Sequence, residues 1–90
     1  MDFLEQEITI VNQSGLHGRA SAMLVETARR FAADVRLVRG EEEVDGKSIL
    51  DVMTMACTRG TPVMIRARGH DAGQALAALS ELVRGRFGEE

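Results

Sequence analysis

Aromatic side chains are scarce in this sequence, since its 90 residues include three phenylalanines but no tryptophan or tyrosine. Nucleic-acid-binding proteins usually carry a surplus of positive charge, and many stack bases on aromatic side chains. This chain has a formal net charge of −3, so its charge and composition argue against nucleic-acid binding. With so few aromatic residues, the core must be built from Ala, Val, Ile, Leu and Met.

Cysteine and long apolar runs are scarce as well. Cys57 is the only cysteine, so the chain cannot form an internal disulfide, which favours a reducing compartment. No run approaches the length that spans a bilayer, and the start Met1–Glu5 lacks the basic residues and the apolar run of a signal peptide. We therefore expect one cytosolic domain over residues 1–90, monomeric and without membrane contact.

Hydrophobic periodicity predicts four strands and three helices. Alternating apolar residues mark strands around Ile8 and Ile10, around Val35 and Leu37, at Glu43–Asp45, and from Val63 to Ala67. Helical spacing predicts a first helix from about Arg19 to Ala33, a second from Ser48 to about Cys57, and a third from its cap at Asp71 to Gly85. The order is β-α-β-β-α-β-α. Packing the helices on one face of a single sheet buries every apolar stripe, which predicts a two-layer α+β domain, although the strand order stays open.

The segment Gly15–Ala20 places His17 and Arg19 at the start of the first predicted helix. The free N–H groups and the positive end of the helix dipole attract anions there. Arg19 adds a planar cationic group suited to phosphate oxygens. A nucleophilic nitrogen beside an anion-binding helix start is what a phosphoryl acceptor requires. The alternative, a surface histidine that only caps the helix, stays open at this point.

Two other kinds of ligand site do not fit the spacing. Gly46-Lys47-Ser48 resembles the end of a phosphate-binding loop, but that motif needs a glycine where Glu41 stands. His17, Cys57 and His70 lie in separate segments without the spacing of metal ligands. We therefore expect neither a bound metal nor a cofactor.

The second predicted helix has a clear start and a surplus of apolar residues. Ser48, with Asp51 three residues later, fits a capping box that accounts for the hydroxyl, although a helix start would also tolerate a phosphate on Ser48. One helix stripe cannot bury all of the apolar side chains that follow, which are Ile49, Leu50, Val52, Met53 and Met55. We expect some of them to be exposed, as on a partner-binding surface.

These motifs resemble those of the histidine-containing phosphocarrier (HPr) family of the bacterial phosphoenolpyruvate-dependent phosphotransferase system. The family pattern G-L-H-A-R-P-A reads GLHGRAS here, from Gly15 to Ser21. Its second signature, K-S-I-[ML]-G-V-M, reads KSILDVM from Lys47 to Met53. The resemblance covers about Glu5 to Gly88 and implies an open-faced sandwich, with a four-stranded antiparallel sheet under three helices.

The resemblance also implies roles for particular residues and partners. His17 would be phosphorylated on its ring Nδ1, Arg19 would stabilise the phosphate, and Ser48 would be the target of a serine kinase. The protein would be a carrier rather than an enzyme, accepting phosphate from enzyme I and donating it to enzyme II A domains of sugar transporters. Docking would use the apolar residues Leu16, Ile49, Leu50 and Met53. A regulatory adaptor of the same fold, whose phosphorylation state partners read without sugar transport, is the alternative.

Three residues depart from the family motifs. Gly18 stands where the pattern has a residue with a side chain, which predicts a looser loop around His17. Ala20 replaces a proline and removes a rigid residue from the first helical turn, a variation that also occurs in the family. Asp51 replaces a glycine, and its charge would oppose a phosphate on Ser48.

Overall fold

The computed structural model describes residues 2–89. It confirms the predicted order of elements. The strands are β1 (Leu4–Thr9), β2 (Asp34–Arg39), β3 (Glu42–Asp45) and β4 (Pro62–Arg68). The helices are α1 (Gly18–Arg29), α2 (Ile49–Met55) and α3 (Ala72–Arg84), and a 3-10 turn follows at Arg86–Gly88.

The strands form one antiparallel sheet in the order β1-β4-β2-β3. Its two central strands carry the alternation seen in the sequence, since Val35, Leu37, Val63, Ile65 and Ala67 are all buried. The helices lie on the face to which these side chains point. There α3 packs against β1 and β4, α2 lies beside β3, and α1 contacts both other helices. The short acidic strand β3 lies at an edge of the sheet, as predicted.

The first helix is shorter than predicted, because it ends at Arg29 rather than Ala33. A contact from Asp71, the predicted cap of α3, explains part of this difference in the length of α1. Asp71 does occupy the N-cap position, but its side chain makes no capping hydrogen bond to α3. Its carboxylate instead accepts the backbone N–H groups of Ala32 and Ala33, each at 2.8 Å. A tertiary contact therefore replaces the local one, and it holds the chain in the segment that leads into β2.

The core contains one large aromatic side chain, in addition to the aliphatic residues expected from the composition. Phe87 is 1% exposed, although its backbone and that of Arg86 are left-handed, with φ of 55° and 59°. Left-handed conformation costs about 1–2 kcal/mol for each non-glycine residue, while burying a phenylalanine contributes about 1.5–3 kcal/mol. Burial of Phe87 therefore largely offsets the unfavourable turn, which directs the end of the chain back towards the start of α1.

Candidate functional site

A short loop between β1 and α1 holds His17 at the start of the helix. Gly15 has φ of 65°, and a Cβ there would lie 2.4 Å from the carbonyl oxygen of Cys57. The same Cys57 oxygen accepts the N–H of Leu16 at 2.8 Å, so the loop lies directly on the segment after α2. The buried Ser21 hydroxyl then donates to the Leu16 carbonyl at 3.0 Å. These bonds fix the backbone immediately before His17.

His17 is the N-cap of α1, with its backbone extended at φ −76° and ψ −179°. Its Nδ1 accepts the backbone N–H of Arg19 at 3.3 Å. Its Nε2 lies 2.6 Å from Oε2 of Glu89, and about a third of the side chain, 34%, is exposed. The hydrogen bond with His17 lowers the pKa of Glu89. An ionised carboxylate can only accept a hydrogen bond, so in a neutral His17 ring this geometry assigns the proton to Nε2 and the lone pair to Nδ1.

The surroundings of Nδ1 suit an anion. It faces the first turn of α1, where the leading N–H groups have no acceptor within the helix. Arg19 is the second residue of α1 and is exposed, and among residues 2–89 its guanidinium has no ion-pair partner. A negatively charged group at Nδ1 would therefore meet both backbone donors and a free cation.

An exposed apolar patch on α2 borders this site. Its members are Ile49, Leu50 and Met53, of which Leu50 is 73% exposed. A Cβ at Gly18 would lie 3.8 Å from Cε of Met53, so the patch reaches the residue next to His17. The expectation that α2 exposes some of its apolar residues is confirmed, since Val52 and Met55 alone are fully buried in that helix.

Leu16 does not belong to this surface. The sequence interpretation grouped it with the docking residues, but the side chain is 4% exposed and lies in the hydrophobic core. The N–H of Leu16 also bonds to the Cys57 carbonyl, so both its side chain and its backbone face the interior. We therefore remove Leu16 from the candidate docking surface.

Ser48 is the N-cap of α2, as expected, and its hydroxyl accepts the N–H of Asp51 at 3.3 Å. The other half of the capping box is absent, because the N–H of Ser48 bonds to the carbonyl of Asp45 instead. Ser48 immediately precedes the apolar patch, so a charge on it would lie at the edge of that surface.

Sequence reasoning missed two residues of the site, Asn12 and Glu89. Asn12 is 1% exposed, and its Nδ2 donates to the Gly15 carbonyl at 2.7 Å and to Oε1 of Glu89 at 3.3 Å. Glu89 lies 72 positions after His17, and no motif links them. The only sequence signal is that Phe87, the last apolar residue, can anchor the segment that carries Glu89.

Neither a metal centre nor a membrane span accompanies this site in the described part of the chain. Over residues 2–89, no three His, Cys, Asp or Glu side chains come together as a potential metal-binding group. No helix in this range is both long enough and apolar enough to cross a bilayer.

An open-faced sandwich that presents a helix-capping histidine beside a free arginine is the arrangement expected of a histidine phosphocarrier. The family described as "PTS HPr component phosphorylation site" matches residues 4–85. The chain therefore belongs to the HPr family of the phosphotransferase system, whose members act as phosphoryl carriers.

Individual members of the family are similar to this chain in sequence and in structure. The phosphocarrier protein HPr of Xylella fastidiosa is 44% identical over 87 residues, which is 97% of this chain and 98% of the relative. A crystal structure of HPr-C-His from Thermoanaerobacter tengcongensis superposes with a TM-score of 0.94 at 36% identity, covering 97% and 98% of the two chains. A crystal structure described as an HPr dimer from the same organism has a TM-score of 0.78 at 35% identity, covering 91% and 94%.

Proposed function

We propose that this chain is a cytosolic carrier that accepts a phosphoryl group on Nδ1 of His17 and passes it to an acceptor protein. The observation that carries the proposal is the position of Nδ1 at the start of α1, where it accepts the backbone N–H of Arg19 and lies beside the other amides of the first turn. In the forward step the Nδ1 lone pair forms a P–N bond. The bond between phosphorus and the donor's leaving group breaks, and the leaving group keeps the electron pair.

The N–H of Arg19, which now donates to Nδ1, is released when the P–N bond forms. It can then donate to a phosphoryl oxygen, as can the other free amides of the first turn. The Arg19 guanidinium adds one charged contact. A single cation and a few amides suit a carrier, because tighter binding of the phosphorylated state would slow donation.

The partners in this proposal are enzyme I as donor and enzyme II A domains as acceptors. The apolar patch of Ile49, Leu50 and Met53 would form the centre of both interfaces, since it borders His17 and is already exposed. A small contact of this kind suits a carrier that must bind two partners in turn and leave each quickly. We propose that the carrier works as a monomer, because a second copy over the patch would cover it.

The test is incubation with enzyme I and phosphoenolpyruvate, followed by intact-mass measurement. Wild type should gain one phosphoryl group, His17→Ala should gain none, and the matched variant His70→Ala should behave as wild type. The product should be acid-labile and alkali-stable, as a phosphoramidate is. Phosphorylation of His17→Ala, or an acid-stable product, would remove His17 from the role.

A further inference from the structure

We propose that Glu89 is a positioning residue, which holds the proton of His17 on Nε2 and so directs phosphoryl transfer to Nδ1. The inference rests on the proposed transfer by His17 and adds the residue that selects between its two ring nitrogens. In neutral imidazole either nitrogen can carry the proton, and the bond made by one fixes the state of the other.

The Glu89 carboxylate is held from two sides. Oε2 lies 2.6 Å from Nε2 of His17, and Oε1 accepts from Nδ2 of the buried Asn12 at 3.3 Å. Asn12 is itself fixed by its bond to the Gly15 carbonyl. The loop before α1 thus supplies both the histidine and the amide that orients its carboxylate partner.

The backbone that brings Glu89 to this place is also constrained. The N–H groups of Gly88 and Glu89 bond to the carbonyls of Gly85 and Arg86, at 3.1 and 2.9 Å. The side chain of Phe87, which lies within this turn, is buried in the core. Because left-handed backbone at Arg86 and Phe87 is unfavourable for residues with side chains, this turn persists only while Phe87 is packed. The packing of Phe87 in the core therefore fixes the position of Glu89.

The arrangement has two consequences for transfer. Before the reaction, Nε2–H donates to Glu89 and leaves Nδ1 unprotonated, with its lone pair held only by the N–H of Arg19. When the P–N bond forms at Nδ1, the ring gains a positive charge that is shared with Nε2–H. The carboxylate stabilises that charge without any proton moving, and donation to the acceptor reverses the change.

The test begins with ¹⁵N NMR of the His17 ring in the unphosphorylated protein, at a pH where the ring is neutral. Wild type should show one tautomer, protonated at Nε2. Glu89→Ala should show a mixture of tautomers, while Glu89→Gln, whose side-chain oxygen can still accept from Nε2, should largely keep the wild-type tautomer. Glu81→Ala, which removes an exposed carboxylate from α3, is the matched control.

Phosphorylation by enzyme I gives the second measurement. The rate of transfer to Nδ1 should fall about tenfold or more in Glu89→Ala, because a hydrogen bond to a charged group is lost. Glu89→Gln should lie between Glu89→Ala and wild type. An unchanged tautomer or an unchanged rate in Glu89→Ala would overturn the positioning role, even if His17 carries phosphate. A shifted tautomer supports that role independently of phosphate. Failure of wild type to be phosphorylated would instead refute the proposed function.

Discussion

Asp71, the N-cap residue of α3, accepts the N–H of Ala33 across the fold at 2.8 Å. The same carboxylate accepts the N–H of Ala32, so one side chain ties the segment between α1 and β2 to the start of α3. The N–H of Ala32, followed by that of Ala33, lowers the pKa of Asp71 below its ordinary value. The carboxylate is accordingly bound more favourably in its ionised form in the folded protein than in the unfolded chain.

This pKa shift predicts a pH-dependent stability. Because the folded pKa is below the unfolded value, the contribution is fully present above the unfolded pKa of aspartate and is lost as pH falls through the folded pKa. Asp71→Asn should lower Tm at neutral pH, and the difference from wild type should narrow in acid. Thermal unfolding across an acid-to-neutral series measures this, with Asp51→Asn as control. A difference that stays constant with pH would show that the charge of Asp71 is not involved.

Gly15 should not tolerate a side chain, because a Cβ there would clash with the backbone. Comparison with Gly60 separates this clash from the cost of a positive φ. Gly15 and Gly60 both have positive φ, but only at Gly15 would a Cβ clash with backbone, at 2.4 Å from the Cys57 oxygen. Gly60→Ala should cost about 1–2 kcal/mol for its conformation, and Gly15→Ala should cost more and slow phosphoryl acceptance. Chemical denaturation measures both free energies of unfolding, and equal losses would mean that the loop moves aside at little cost.

Arg19→Ala should slow phosphoryl transfer without a large change in Tm. The guanidinium has no ion-pair partner within residues 2–89, so its removal leaves no other charge unpaired. Hydrogen bonds to charged groups contribute roughly 1.5–3 kcal/mol, which corresponds to a rate loss of about ten- to a hundredfold. Rapid-quench measurement should be made in both directions, with Arg84→Ala as control. If Arg19→Ala left the rates of both phosphoryl acceptance and phosphoryl donation unchanged, backbone amides alone would hold the phosphate.

The apolar patch on α2 predicts a specific loss of partner binding. Met53→Glu should weaken binding to enzyme I by at least about tenfold, because an unpaired carboxylate would be buried at the interface. Leu4→Glu changes an exposed leucine at the far end of β1 and should bind as wild type. Calorimetric titration against enzyme I measures the affinities, and equal binding by all three proteins would exclude the patch.

We propose Ser48 as the residue whose phosphorylation regulates the same surface. A phosphate adds a charge of about −1.5 to −2, which the helix start tolerates but apolar docking opposes. Ser48→Asp should therefore reduce affinity for enzyme I while keeping Tm near that of wild type. Asp51 already places a negative charge beside this position, so the loss should be larger in an Asp51→Gly background. Unchanged affinity in both backgrounds would leave Ser48 as a helix cap only.

The amino-acid sequence by itself determined the order of the elements and pointed to His17 as the candidate phosphoryl acceptor. Apolar residues alternate in β2 and β4 and recur every 3.6 residues in α3. These patterns are local, because they depend only on which side of each element is buried. Gly15, His17 and Arg19 were equally readable, because a capped helix start needs its residues next to one another in the chain. Ser48 was predicted as an N-cap on the same local ground, and the structure confirms it.

Tertiary structure decided whatever depends on distant residues. The strand order β1-β4-β2-β3 joins segments that no local pattern pairs. Leu16 lies in a loop in which no periodicity indicates the direction of a side chain, and only the tertiary structure shows that it is buried. Asp71 had the sequence of a local cap, but its carboxylate instead accepts two backbone N–H groups from the segment between α1 and β2. Glu89 reaches His17 only because Phe87 is buried, and burial of one side chain depends on the packing of the whole core.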